Sequence, residues 1–223
     1  MAEREERRLF DIGARVLRKG KTMDFSVLKD NLIKLGYEVS VFETAAEAAD
    51  YLDSEIDNTT VTFGGSVTLD ELGLYDRLDK HNEVFWHWKI KENQSPTTMR
   101  EFGTNTDVYV SSVNGIAETG EIINIDATGN RVASMTYGHR KLYLVIGENK
   151  VAKDYDAALY RARNIASPLN AKRLNKKTPC AVNADKCYNC NSPERICRAL
   201  SVFWCKPIGQ AVEVVLINEK LGY

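Results

Sequence analysis

An α/β fold with a mainly parallel sheet and helices on both faces is what this sequence predicts, and three observations carry that reading. Strand-like runs at residues 60–63 and 142–147 and an apolar one carried by Val212, Val214, Val215, Leu216 and Ile217 are the first. Helical stripes with recognisable start signals lie between the strands, the pattern that places crossover helices over a parallel sheet. A strand also runs into Gly64-Gly65-Ser66 and then into a helix, as at a strand-to-helix turn.

Taken in order, Leu9, Ile12, Val16 and Leu17 recur at helical spacing and Gly20 follows, which predicts a surface helix. Asp24 is the expected N-cap of a second helix striped by Val27, Leu28, Leu32 and Leu35, with Gly36 at its left-handed end. Tyr37, Val39 and Val41 alternate as a strand does. Thr44 and Glu47 form a capping box for a third helix to about Ile56, and Thr68 with Glu71 reads as another after the glycine turn.

Further strands are expected near residues 84–88, 107–112 and 142–147, with Ser95-Pro96 opening a helix between the first two. Residues 121–126 and 132–137 flank Ala127-Thr128-Gly129-Asn130 and read as a hairpin-like excursion. A helix over residues 154–166 is expected to stop before Pro168, and a last apolar strand spans 212–217. The division is a helical and first-strand region, 1–57, and a core, 58–223, with a cysteine-bearing insertion at 170–207 before the closing strand.

The 223 residues are 43% hydrophobic and 27% charged, as in an ordinary globular domain. A net charge of −1 offers no global attraction to nucleic acid or membrane. The Arg- and Glu-rich start lacks an apolar run, so neither a signal peptide nor a membrane span is expected, which points to the cytoplasm. All five cysteines fall between Cys180 and Cys205. Clustering of this kind favours a metal over a disulfide framework.

The turn Gly64-Gly65-Ser66-x-Thr68 puts small residues where free N–H groups and a helix start converge, an arrangement suited to a phosphate or carboxylate or, alternatively, to a plain tight turn. Asn114, Glu118, Thr119 and Gly120 follow a strand, with Glu118 the candidate nucleophile or general base or else a solvated loop carboxylate. Asp126, Asn130 and Arg131 are expected on the same rim, with Arg131 facing an anionic substrate or closing a surface salt bridge. Alternation through Trp86-His87-Trp88 turns His87 away from the indoles, toward the cavity or the core edge.

Cys180-x6-Cys187-x2-Cys190-x6-Cys197 is the most specific pattern. An x2 pair presents two sulfurs to one centre and the outer cysteines can close a four-sulfur shell, for an iron–sulfur cluster or for zinc. Lys176, Lys177, Arg195 and Arg198 would offset the thiolates, and Cys205 reads as a buried thiol or spare ligand.

The strings Phe63-Gly64-Gly65-Ser66-Val67-Thr68-Leu69, Ile123-Asn124-Ile125-Asp126-x-Thr128-Gly129-Asn130-Arg131 and Asn164-Ile165-Ala166-x-Pro168-Leu169-Asn170-Ala171-Lys172-Arg173, with Cys187-x2-Cys190-x-Ser192-Pro193-Glu194-Arg195-Ile196-Cys197, resemble the lactate-utilization (LUD) domain family. The resemblance runs through nearly the whole chain and departs at Asn183-Ala184, where Thr-Gly is expected. It implies a fold like glucosamine-phosphate isomerase, ribose-phosphate isomerase and CoA transferase, with Gly64, Gly65, Ser66 and Thr68 as the anion loop and Glu118 as the nearest counterpart of a CoA-transferase glutamate. It further implies organic-acid metabolism of the lactate type, an iron–sulfur cluster, a small anionic metabolite and an electron-transfer protein partner. The competing readings are a CoA- or sugar-phosphate-dependent transferase or isomerase with structural zinc, and a non-catalytic metabolite-binding protein.

Overall fold

The computed structural model describes residues 22–223, so the helix expected over residues 9–17 lies outside the described residues. The chain runs α1 (Ser26–Lys34), β1 (Glu38–Phe42), α2 (Ala45–Glu55), β2 (Thr60–Phe63), α3 (Val67–Glu71), α4 (Leu74–Leu78) and β3 (Glu83–Phe85). It continues α5 (Pro96–Phe102), β4 (Val108–Ser111), β5 (Gly115–Ala117), β6 (Ile122–Asp126), α6 (Asn130–Thr136), β7 (Lys141–Gly147) and β8 (Val151–Ala152). The last elements are α7 (Tyr155–Arg161), α8 (Ser167–Arg173), α9 (Pro179–Asn183), β9 (Ala199–Phe203) and β10 (Ala211–Ile217).

Six strands pair in the order β1-β10-β7-β4-β2-β3, every neighbour parallel. The closing strand β10 thus sits inside the sheet, with β1 hydrogen-bonded along its outer side. Successive residues of a strand face opposite ways. Tyr143, Val145, Val215 and Ile217 therefore pack on Leu52 of α2, Leu69 of α3 and Leu74 of α4. Leu142, Leu144, Ile146, Val214 and Leu216 pack on Leu28 and Leu32 of α1 across the other face. Burial on both faces is why these strands are continuously apolar.

A second sheet, β8-β5-β6-β9, shares that other face through Ile116 and Ile122. Its strand β9 lies inside the cysteine-bearing segment and pairs antiparallel with β6 from Ala199↔Asp126 to Phe203↔Ile122. The segment read as an insertion thereby supplies a strand to the fold.

Several local expectations hold: the capping box of Thr44 and Glu47 forms, Ser95 caps α5, and Gly36 is left-handed. Others are corrected. Residues 130–136 are helix α6 and not the returning arm of a hairpin, because Gly129 takes a left-handed turn and the Asp126 carboxylate accepts from the Arg131 and Val132 N–H groups at 2.9 and 3.2 Å. That cap outweighs the strand preference of Val132 and Thr136.

The helix begun at Asp154 also does not stop before Pro168. Residues 162–166 form a π turn, and α8 continues through the proline. A proline has no N–H to give the preceding turn, and widening that turn removes the clash between its ring and the carbonyl behind it. The Ala162 carbonyl accepts from both the Ser167 N–H and the Ser167 hydroxyl, the latter at 2.8 Å. Ala184, where the resemblance leads one to expect glycine, sits at φ +53 where an L side chain is strained.

Candidate anion-binding site

The carboxyl ends of β7, β4 and β2 are neighbours in the sheet and open onto one cavity of ≈ 340 Å³. The chain leaves β2 toward β3 and leaves β4 toward β7, so the crevice between β2 and β4 is a switch point of the kind where α/β sheets hold ligands.

The glycine turn forms one wall. A Cβ at Gly64 would come within 2.6 Å of Ser111 Oγ, and one at Gly65 within 3.0 Å of His87 Nε2 and 3.2 Å of Trp88 Nε1. Close approach, and not a left-handed backbone, is what requires glycine here. Ser66 caps α3 by accepting from the Leu69 N–H at 3.4 Å, which corrects the box expected of Thr68 and Glu71. Helix α3 has only five residues, so the field at its end is weak and side chains must supply most of the attraction for an anion.

Lys150 supplies the strongest of these. It is 3% exposed, lines the cavity, and donates from Nζ to Thr68 Oγ1 at 2.7 Å and to Ser112 Oγ at 2.8 Å. Both hydroxyls spend their own hydrogens on backbone carbonyls, Thr68 on Leu221 at 3.2 Å and Ser112 on Val145 at 2.5 Å. They are therefore acceptors toward Lys150, and among the described residues one of its three donor directions has no partner. Among the described residues no carboxylate lies within ion-pair distance of this ammonium. Burial, followed by the charges of Arg161 and Arg131, pushes its pKa down to about 7, against a raising effect of Glu71. Arg161 braces the loop, donating to the Asn149 and Asn114 carbonyls at 2.7 and 2.5 Å.

Arg100, Arg131 and Arg173 share the wall with Lys150, and Asp126 is the one carboxylate there. That carboxylate is occupied with capping α6. Arg131 donates to the Ile125 carbonyl at 2.5 Å and lies 4.0 Å from Asp126, Arg100 Nε is buried with no partner among the described residues, and Arg173 stacks 4.6 Å over the Trp88 ring. His87 reaches the same space while Trp86 and Trp88 stack on each other at 5.3 Å. Burial and then the charges of Arg100 and Arg131 hold its pKa down to about 4, so His87 is a neutral imidazole at physiological pH.

Of the expected binding residues, Gly65, Ser66, Thr68, Asn114, Asn130 and Arg131 line the cavity, with Gly64 immediately behind the turn. Glu118, Thr119 and Gly120 are not brought there. They form the turn joining β5 to β6, Asn31 of α1 donates to the Glu118 carbonyl at 2.8 Å, and Gly120 packs on Leu35. Asn114 precedes β5 and Glu118 follows it, so the length of that strand separates them. Lys150, Arg100, Arg173 and Ser112 were not singled out from sequence. The available signal for Lys150 was a lysine just past an apolar strand end, a position that usually reads as solvated.

The four cysteines of the module are half-buried free thiols, and Cys205 is exposed and not buried as one reading had it, beside an equally exposed Trp204 on the turn after β9. Arg195 Nε donates to Cys197 Sγ at 3.2 Å and its Nη1 to the Cys190 carbonyl at 2.9 Å. The hydrogen bond and charge of Cys197 raise the Arg195 pKa, with smaller contributions from Cys190 and Cys187. One sulfur, that of Cys197, thus touches the guanidinium directly. Among the described residues no three Cys, His, Asp or Glu side chains are gathered as a metal site. Four unpaired thiols on one segment nevertheless suit a thiophilic group chemically. Ile196, between Arg195 and Cys197, reaches the cavity wall.

Replacing Gly65 with Val puts branched carbon against His87 and Trp88. Circular dichroism is expected to show an intact fold, with sulfate affinity down about tenfold by calorimetry.

The chain is an α/β protein with a parallel sheet and a cationic cavity at its switch point. The LUD domain model matches residues 25–217, and the chain belongs to that family. A solved DUF162 family protein from Deinococcus radiodurans is similar at 11% identity and a TM-score of 0.51, covering 86% of this chain and 94% of that one. The ribose 5-phosphate isomerase of Plasmodium falciparum aligns at 16% identity and a TM-score of 0.32, over 49% of this chain and 52% of its own, too little to carry its substrate across. No curated protein matches the chain.

Proposed function

We propose that this LUD-domain protein binds a small anionic metabolite of organic-acid metabolism at the cavity and holds an iron–sulfur cluster on Cys180, Cys187, Cys190 and Cys197, with an electron-transfer protein as its redox partner. One observation carries the anion half: Lys150 is a buried cation, bonded only to hydroxyls, on a wall with three arginines and a single engaged carboxylate. A buried charge lacking a counter-ion is costly, and an anionic ligand supplies what is missing. The thiol-rich segment supports the cluster half, with Arg195 placed to balance thiolate charge. Such a cluster, when bound, supplies one-electron transfer. Ile196 links the segment to the cavity wall, which favours coupling the two. Glu118 receives no chemical role, since its turn packs on α1.

Calorimetry with sulfate, which does not titrate near neutrality, tests the anion reading. The ammonium form binds sulfate directly, and in the amine form only the arginines of the wall are left to attract it. With a free-site pKa of about 7, affinity should fall about 100-fold from about pH 6 to about pH 9. A pH-independent affinity would remove Lys150 from the binding site.

A further inference from the structure

A buried amine with fixed hydrogen-bond acceptors, no carboxylate partner and one open direction is equipped for more than charge. Lys150 Nζ is held by Thr68 and Ser112, whose hydroxyl hydrogens are committed to the Leu221 and Val145 carbonyls. Its remaining direction belongs to a residue that lines the cavity wall. In neutral form the amine directs a lone pair there, beside arginines able to hold a carboxylate or phosphate. The charged groups acting on it are Arg161 and Arg131, which oppose protonation, and Glu71, which favours it. Burial first, and then the two arginines, outweigh Glu71 and lower the pKa to about 7, so the nucleophilic form is present at neutral pH.

We propose that Lys150 forms a reversible imine with a carbonyl compound bearing a carboxylate or phosphate group, an assignment that rests on the anion reading of the cavity. Neutral Nζ adds to the carbonyl carbon, the carbonyl oxygen takes up a proton, and a carbinolamine results. The carbon–oxygen bond then breaks. The oxygen leaves as water with both hydrogens that the amine gives up, and a carbon–nitrogen double bond remains. No electrons enter or leave. Hydrolysis reverses the sequence, and proton uptake by the imine makes its carbon an electron sink for chemistry at the neighbouring carbon. The two anion types share this recognition and separate by probe.

Wild-type protein incubated with pyruvate, or with glyceraldehyde 3-phosphate, and reduced by cyanoborohydride should carry the reduced adduct on Lys150, read by peptide mass mapping. Labelling is expected about tenfold above any other lysine, suppressed by sulfate and fastest near neutral pH, where the amine form is present and the anion is still held. Preference for pyruvate assigns the carboxylate source, and preference for glyceraldehyde 3-phosphate assigns the phosphate source. The adduct is read in the native chain, so the result does not depend on a variant folding. If pyruvate and glyceraldehyde 3-phosphate displace sulfate in calorimetry yet neither labels Lys150, the anion reading stands and the imine is overturned. If neither probe nor sulfate binds, both readings fall.

Discussion

Lys150→Met should weaken sulfate binding by on the order of 100-fold, because a buried charge that anchors an anion is removed and the shape is kept. The same change should stabilise the protein. The folded pKa of about 7 lies below the ordinary lysine value near 10.4, so folding disfavours the charge. That penalty is fully present below about pH 7 and fades as pH rises toward about 10.4, where the unfolded chain also loses its proton. At about pH 6 the gain is on the order of 2 kcal/mol after loss of two hydrogen bonds, or roughly 5 °C in Tm. Thr68 and Ser112 keep their carbonyl acceptors, so no hydroxyl hydrogen is orphaned. Loss of binding with a raised Tm is the signature of a site maintained against stability. Loss of both would mean Lys150 is structural.

Cys190→Ser, and separately Cys187→Ser, should abolish stoichiometric iron and sulfide uptake in anaerobic reconstitution and the brown absorption that accompanies it. The parallel sheet is expected to remain folded, since β9 is anchored on β6 through five residue pairs and β10 lies inside the sheet. The effect should be confined to residues 184–198, which form no helix or strand and rely on side-chain bonds such as those of Arg195. Hydrogen exchange there should slow on reconstitution in the wild type and not in the variants. Colourless zinc-loaded protein would redirect the module to structural zinc. Uptake of neither metal would leave the thiols without a metal role.

The parallel sheet was legible because burial on both faces forces β7 and β10 to carry long hydrophobic runs, Leu142 to Ile146 and Val214 to Ile217, a local signal with one structural meaning. The glycine turn was legible for the same reason, as few settings need Gly64 and Gly65 together. Helix α6 was not, since its start depends on a carboxylate four residues upstream of Asn130 and on a left-handed Gly129, while Val132 and Thr136 favour strand locally. Glu118 looked close to Asn114 because distance along a chain ignores direction, and β5 carries one to the cavity and the other to α1. Lys150 was the largest omission. Its meaning comes from Thr68, Ser112 and the carbonyls of Val145 and Leu221, groups spread from residue 68 to residue 221 that only the tertiary fold assembles.

Nitrogen-detected NMR of the Lys150 side chain, titrated with and without sulfate, tests most directly whether this lysine is an uncompensated cation awaiting an anion. The free protein should show a lysine titrating near pH 7, and saturating sulfate should move that midpoint upward by about 1 to 2 units, as a bound counter-ion restores the charge. A Lys150 midpoint near the ordinary lysine value in the free protein, or one unmoved by sulfate, would contradict the account.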